Sequence, residues 1–117
     1  YKYTIMITIY HNPRCGKSRK ALQRLEEKYN DITVIEYLKT PLFSEDILTL
    51  SEKLGLAPYH LIRTGEDVFK NNFADKDLDS TDWAKAIADF PILLQRPIVD
   101  KGTFASIVRD DDSLAAL

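Results

Sequence analysis

Cysteine is nearly absent: Cys15 is the only one among 117 residues, beside one methionine, one tryptophan and two histidines. A single thiol excludes an internal disulfide and an intramolecular resolving partner. One Cys with His11 and His60 gives little material for a metal centre, so no metal or bound cofactor is expected. Charge of one sign is also missing. Sixteen Lys and Arg against eighteen Asp and Glu leave a net charge of -2, so no global basic field argues for nucleic acid. No apolar run approaches the roughly 20 residues needed to cross a bilayer. Tyr3 to Tyr10 is apolar but has no small-residue cleavage site, so it does not read as a signal peptide. A lone thiol suits the reducing cytoplasm. There is no repeat, low-complexity tract or linker, and a 44% hydrophobic fraction suffices for an ordinary core. One monomeric domain over residues 1–117 is the expectation.

What is present has a clear order. Residues 3–10 are rich in Ile and Thr and suit a strand, which Asn12-Pro13 breaks. From Cys15 onward, Ala21, Leu22, Leu25 and Tyr29 recur at helical spacing. Residues 32–38 read as a second strand. These forty residues form a β-α-β unit, with parallel strands and a right-handed crossover. Ser44 caps the next helix, buried through Ile47, Leu48, Leu50 and Leu54 and closed by Gly55. A short helix from Ala57-Pro58 to Arg63 follows, then another over 66–73. The Asp79–Asp82 group caps a helix carrying Trp83, Ala86, Ile87 and Phe90, which Pro91 stops. The segment 92–100 reads as a loop entering a strand, Lys101-Gly102 turns, and Thr103 to Val108 returns antiparallel before a helix over 110–117.

The stretch from Tyr10 to Arg19 lies where the first strand gives way to a helix. The first amides of a helix have no intrahelical acceptors and, with the dipole, stabilise an anion. Cys15 at such a turn has its thiolate favoured, and the same amides can hold an oxyanion. Arg14, Lys17 and Arg19 add positive charge within five residues, and His11 lies four residues upstream.

His11-Asn12-Pro13-Arg14-Cys15-Gly16-Lys17-Ser18-Arg19 resembles the active-site loop of the ArsC-type, glutaredoxin-coupled arsenate reductases. Tyr37-Leu38-Lys39-Thr40-Pro41, Leu61-Ile62-Arg63 and the run from Pro91 to Val99 are similar to later signatures of that family, in the same order. The resemblance implies a thioredoxin- or glutaredoxin-like α/β fold: β-α-β, a helical insertion, then β-β-α, with a mixed four-stranded sheet. It implies that Cys15 attacks arsenate, that Arg63, Arg96 and Arg109 line the oxyanion pocket, and that Arg14 and Gly16 contribute to binding from the loop. His11 corresponds to a histidine that favours the ionised thiol, and Ser18 to a hydroxyl near it. Pro97 sits where the fold has a cis-proline. Glutathione as co-substrate and glutaredoxin as partner would release arsenite. The sequence departs after Arg109, where Asp110-Asp111-Asp112 stands in place of the family's usual proline.

Other readings stay beside this one. A lone cysteine is often a small buried hydrophobe, His11 could serve only to cap its loop, and arginines commonly pair with surface carboxylates. Trp83, Phe90 and Tyr37 read as core residues, and His60 as a surface one. A glutathione-linked thiol oxidoreductase without arsenate specificity would use the same thiol. Cys-Gly-Lys-Ser also resembles monothiol glutaredoxins that bind an iron–sulfur cluster. A Spx-like regulator binding RNA polymerase shares the fold, but such relatives carry Cys-x-x-Cys where this chain has Ser18. A Walker A loop fails because its first glycine would fall at His11, and a Cys-x5-Arg loop fails at Ala21.

Overall fold

A computed structural model describes residues 6–117, so residues 3–5 of the expected first strand lie outside the described residues. The chain forms two compact units. One joins the chain up to Thr40 with Arg96–Leu117; the other is Pro41–Gln95, the helical insertion.

The first unit is built on a four-stranded sheet in the order β2-β1-β3-β4, from β1 (Ile7–Tyr10), β2 (Ile32–Ile35), β3 (Ile98–Asp100) and β4 (Ala105–Ile107). β1 runs parallel to β2 and antiparallel to β3, which pairs antiparallel with β4. The helix α1 (Gly16–Lys28) is the crossover between the parallel pair. Its apolar stripe buries Ala21 and Leu25 against Ile7, Ile9 and Val99, with Val108 and Leu117 in the same cluster. Leu22 and Tyr29 pack on its margin. That alternation of Ile7 and Ile9 on one face, met by a stripe at helical period, is what selects strand and helix here.

Two ends differ from the sequence reading. β2 stops at Ile35 rather than at residue 38 because the Glu36 carbonyl accepts from the amides of Lys39 and Thr40, turning the chain. This turn buries Tyr37. β4 begins at Ala105 rather than Thr103, since the Lys101 amide donates to the Phe104 carbonyl across the turn. Gly102 occupies that turn at φ 102°, a conformation costly for any side chain. The last helix, α5 (Asp111–Ala115), is capped by Asp110, whose carboxylate accepts from the Ser113 amide.

In the second unit α2 (Ser44–Leu54) packs on α4 (Ser80–Asp89), with α3 (Asp67–Asn72) between them in sequence. Ser44 is the first residue of α2 and not its cap. The cap position is Phe43, whose amide donates to the Asp46 carboxylate, so the side chain that closes this end lies three residues inside the helix. Gly55 ends α2 in the left-handed region, as expected. Pro58–Leu61 is a single 3-10 turn, after which Ile62 forms an antiparallel bridge with Leu94. Trp83 is buried among the rings of Tyr59, Phe69 and Phe73. Phe90, expected in the core, is 39% exposed because it stands past the end of α4, where the helical stripe no longer aims it inward. Among the described residues no helix is long and apolar enough to cross a membrane.

Asp79 accepts from the Asp82 amide at 2.8 Å and so closes α4. Asp79→Ala should lower unfolding stability by about 1 kcal/mol, read as a shifted urea midpoint with an unchanged slope.

Candidate active site

Register brings three separate segments of the first unit to one end of the sheet. Tyr10 pairs with Ile35 on one side and Ile98 on the other. The loop leaving β1, the turn leaving β2 and the residues entering β3 therefore share that end. These are the 11–15 loop, the turn carrying Tyr37, and Arg96-Pro97, whose peptide bond is cis.

The loop is held by its own polar groups. Asn12, which the sequence marks only as a strand breaker within the motif, is buried and is its hub. Its carbonyl accepts from the Cys15 amide at 3.0 Å, its side chain accepts from the Arg14 amide at 3.0 Å, and its amide donates to Ser18 Oγ at 3.0 Å. His11 Nδ1 lies 2.6 Å from the same hydroxyl. With the neutral ring, Ser18 can donate to His11 while accepting from Asn12. His11 is buried, and that burial, with Arg19 nearby, holds its pKa below 6.5 against the pull of Glu36. The His11 imidazole thus secures the loop through Ser18. Ser18 itself is fully buried, with its hydroxyl committed to His11 and Asn12.

Cys15 is half-buried at the cap position of α1, in an extended conformation with φ -95° and ψ 123°. No side-chain hydrogen bond closes this end of the helix, and its first turn holds no acidic residue. The unfilled positive end of a thirteen-residue helix thus faces the sulfur. Burial works to raise the Cys15 pKa. The Ser18 amide, the Arg96 side chain and the Lys17 amide outweigh it, and the net pKa is below the ordinary thiol value. So the Ser18 backbone, rather than its hydroxyl, acts on the sulfur.

Among the described residues, Arg96 has the most buried side-chain atoms left without a partner. Its Nε and Nη1 are both buried and neither has a hydrogen-bond partner. Two buried guanidinium donors left open beside a sulfur at a helix N-terminus make a ready site for an oxyanion. Tyr37 was read as core, and it is 1% exposed. Its hydroxyl nevertheless belongs to this end of the sheet, near Asn12, Arg96 and Cys15. The signal available was the tyrosine's place in a quoted motif, together with the general need of a buried phenol for a partner.

The remaining candidates are placed differently. Gly16 opens α1, where a side chain would meet Arg19 only at ordinary contact distance, and Arg14 is exposed. Arg109 is exposed just ahead of α5, its amide bonded to Ser113 Oγ. Asp110 is spent on capping α5 and Asp111 and Asp112 lie in its first turn, where the dipole favours them. Arg63 belongs to the second unit. Its amide donates to the Leu93 carbonyl at 2.7 Å, and its guanidinium lies 3.5 Å from the Glu66 carboxylate. His60 is exposed, and among the described residues no group of His, Cys, Asp and Glu could hold a metal ion.

Comparison with known proteins bears on this arrangement. A model of the ArsC family matches residues 10–117. An arsenate reductase of Neisseria meningitidis is 40% identical over 113 residues, spanning 95% of this chain and 97% of that protein. One from Haemophilus influenzae is 33% identical over 110 residues, spanning 92% and 95%. The solved structure of an arsenate reductase from Vibrio cholerae matches with a TM-score of 0.89 at 33% identity, over 97% of this chain and 98% of its own.

Two measurements probe the electrostatics. Alkylation of Cys15 by iodoacetamide should reach half its plateau rate at a lower pH than a free thiol, and Arg96→Ala should move that midpoint upward. For His11 the direction reverses. The native state resists protonation below 6.5 while the unfolded chain accepts it, so stability is unaffected above that pH and lost beneath it. Urea unfolding should show the stability gap between parent and His11→Gln narrowing as pH falls from 7 to 5.

Proposed function

The chain belongs to the ArsC family, with its thioredoxin-like α/β fold, and on that premise we propose that it is an arsenate reductase whose nucleophile is Cys15. The observation that carries this reading is the pair of buried, unpartnered Arg96 nitrogens beside a thiol with a lowered pKa. Buried charged donors are costly to leave open, and a tetrahedral oxyanion satisfies them through paired hydrogen bonds. Arsenate fits because its oxygens accept from guanidinium and amides while its arsenic is open to attack by sulfur.

In the first step the Cys15 thiolate forms a sulfur–arsenic bond and an oxygen departs. The thiolate and HAsO4²⁻ take up two protons and yield the thiolate–arsenate adduct and water. The α1 amides, Arg96 and Arg14 offset the charge gathered at arsenic. The sequence holds no second cysteine, so an external thiol completes the reduction. Glutathione attacks the Cys15 sulfur, the sulfur–arsenic electron pair passes to arsenic, and arsenite leaves with Cys15 as a mixed disulfide. A glutaredoxin thiol and a second glutathione then restore the Cys15 thiol and carry away oxidised glutathione, so two thiols supply the two electrons. Arg109 is assigned to the oxyanion on the family resemblance, His11 and Ser18 to holding the loop. The lone thiol and the absence of a long apolar helix among the described residues are compatible with work in the cytoplasm.

A coupled assay with arsenate, glutathione and glutaredoxin tests this directly. Cys15→Ser should abolish turnover. Arg96→Ala should lower kcat/KM by roughly tenfold to a hundredfold, the equivalent of about 1.5–3 kcal/mol for a lost charge-assisted hydrogen bond. Full activity without Cys15 ends the proposal.

A further inference from the structure

Among the described residues, four buried side-chain nitrogen or oxygen atoms lack a hydrogen-bond partner: Arg24 Nε, Tyr37 Oη, Arg96 Nε and Arg96 Nη1. Three of the four belong to two residues at the same end of the sheet. Two other buried hydroxyls are bonded, Ser18 to His11 and Asn12, and Ser51 to the Leu48 carbonyl at 2.7 Å. The Asn12 side chain and the Arg96 guanidinium both lie close enough to Tyr37 Oη to donate toward its oxygen, but neither accepts the hydroxyl proton, which has no partner within the protein. A phenol buried for packing alone is replaced by phenylalanine at no loss, whereas a phenol buried with its hydroxyl open needs an acceptor from outside the protein.

We propose that the Tyr37 hydroxyl is a neutral hydrogen-bond donor to the tetrahedral oxyanion beside Cys15, completing one donor set with Arg96 Nε and Nη1. This rests on the oxyanion reading above and extends it by a residue that neither the thiol nor the arginines require. The sequence of the turn explains how the hydroxyl arrives there. The Glu36 carbonyl accepts from Lys39 and Thr40, which ends β2 and turns Tyr37 into the unit beside the loop of Asn12. Charge dictates that the donor be neutral. A phenolate would repel both the thiolate and the incoming anion, and here burial raises the Tyr37 pKa to about 12, with Arg96 opposing and the Cys15 charge reinforcing. The hydroxyl therefore stays protonated around neutral pH and can donate there. An uncharged donor adds direction to the site without adding positive charge to that already there.

Tyr37→Phe removes one oxygen and tests the idea. The parent should bind inorganic phosphate and arsenate, read as protection of Cys15 from iodoacetamide. Tyr37→Phe should need about tenfold more of either anion for the same protection and lose about tenfold in kcat/KM for arsenate, with its thermal midpoint retained. Equal protection and equal kcat/KM in parent and variant overturn the inference and leave the reductase reading standing. A parent that neither anion protects and that does not reduce arsenate overturns both. Should the phenylalanine variant fail to fold, 3-fluorotyrosine at position 37 of an otherwise unaltered chain serves instead. Its fluorine resonance should shift on adding phosphate, and an unmoved resonance at anion concentrations that protect Cys15 refutes the contact. A bound water in place of the anion predicts that same unmoved resonance.

Discussion

Everything at this site depends on one electrostatic balance, that between the Cys15 sulfur and the donors around it. Burial alone opposes ionisation. The uncapped start of α1 and the Arg96 side chain reverse the sign. Had an Asp or Ser stood at the cap position, its oxygen would have taken the amides, and the helix dipole would have been spent on structure. A cysteine there leaves the dipole to act on sulfur. The cost is a helix end with no strong cap, which the loop offsets through the bonds that Asn12 makes to Cys15, Arg14 and Ser18.

The sheet supplies the rest. Because β1 is central and pairs in opposite senses with β2 and β3, the end of β2 and the start of β3 arrive at the same edge as the β1 loop. Tyr37 and Arg96, 59 positions apart in the chain, become neighbours of Cys15 by that register alone. Asp110, Asp111 and Asp112, which follow Arg109, are absorbed locally. They cap and open α5, so their charge is used by a helix start.

Much of this was legible beforehand. The strand, helix and strand around Cys15, the Gly55 stop, the Asp79 cap and the Lys101-Gly102 turn follow from periodicity and from residues with few conformational options. The motifs singled out Cys15 and Arg96, which the fold brings together. Other points were not legible. Ser44 looked like a cap because Ser often is one, but Asp46 reached back to the Phe43 amide and moved the boundary. Phe90 fitted the helical stripe and fell one residue beyond it. Ser18 looked like a hydroxyl for the thiolate, yet His11 and Asn12 claim that oxygen.

The sequence by itself determined which groups are available: one sulfur, a strand-to-helix turn that favours its anion, and several guanidinium groups. Those are properties of residue type and local spacing, which short-range sterics and dipoles enforce. Only the tertiary structure decided which of these donors remain open. Whether a buried nitrogen or hydroxyl finds a partner depends on the distances between segments joined by strand register, as for Arg96 and Tyr37, and no local pattern encodes such a distance.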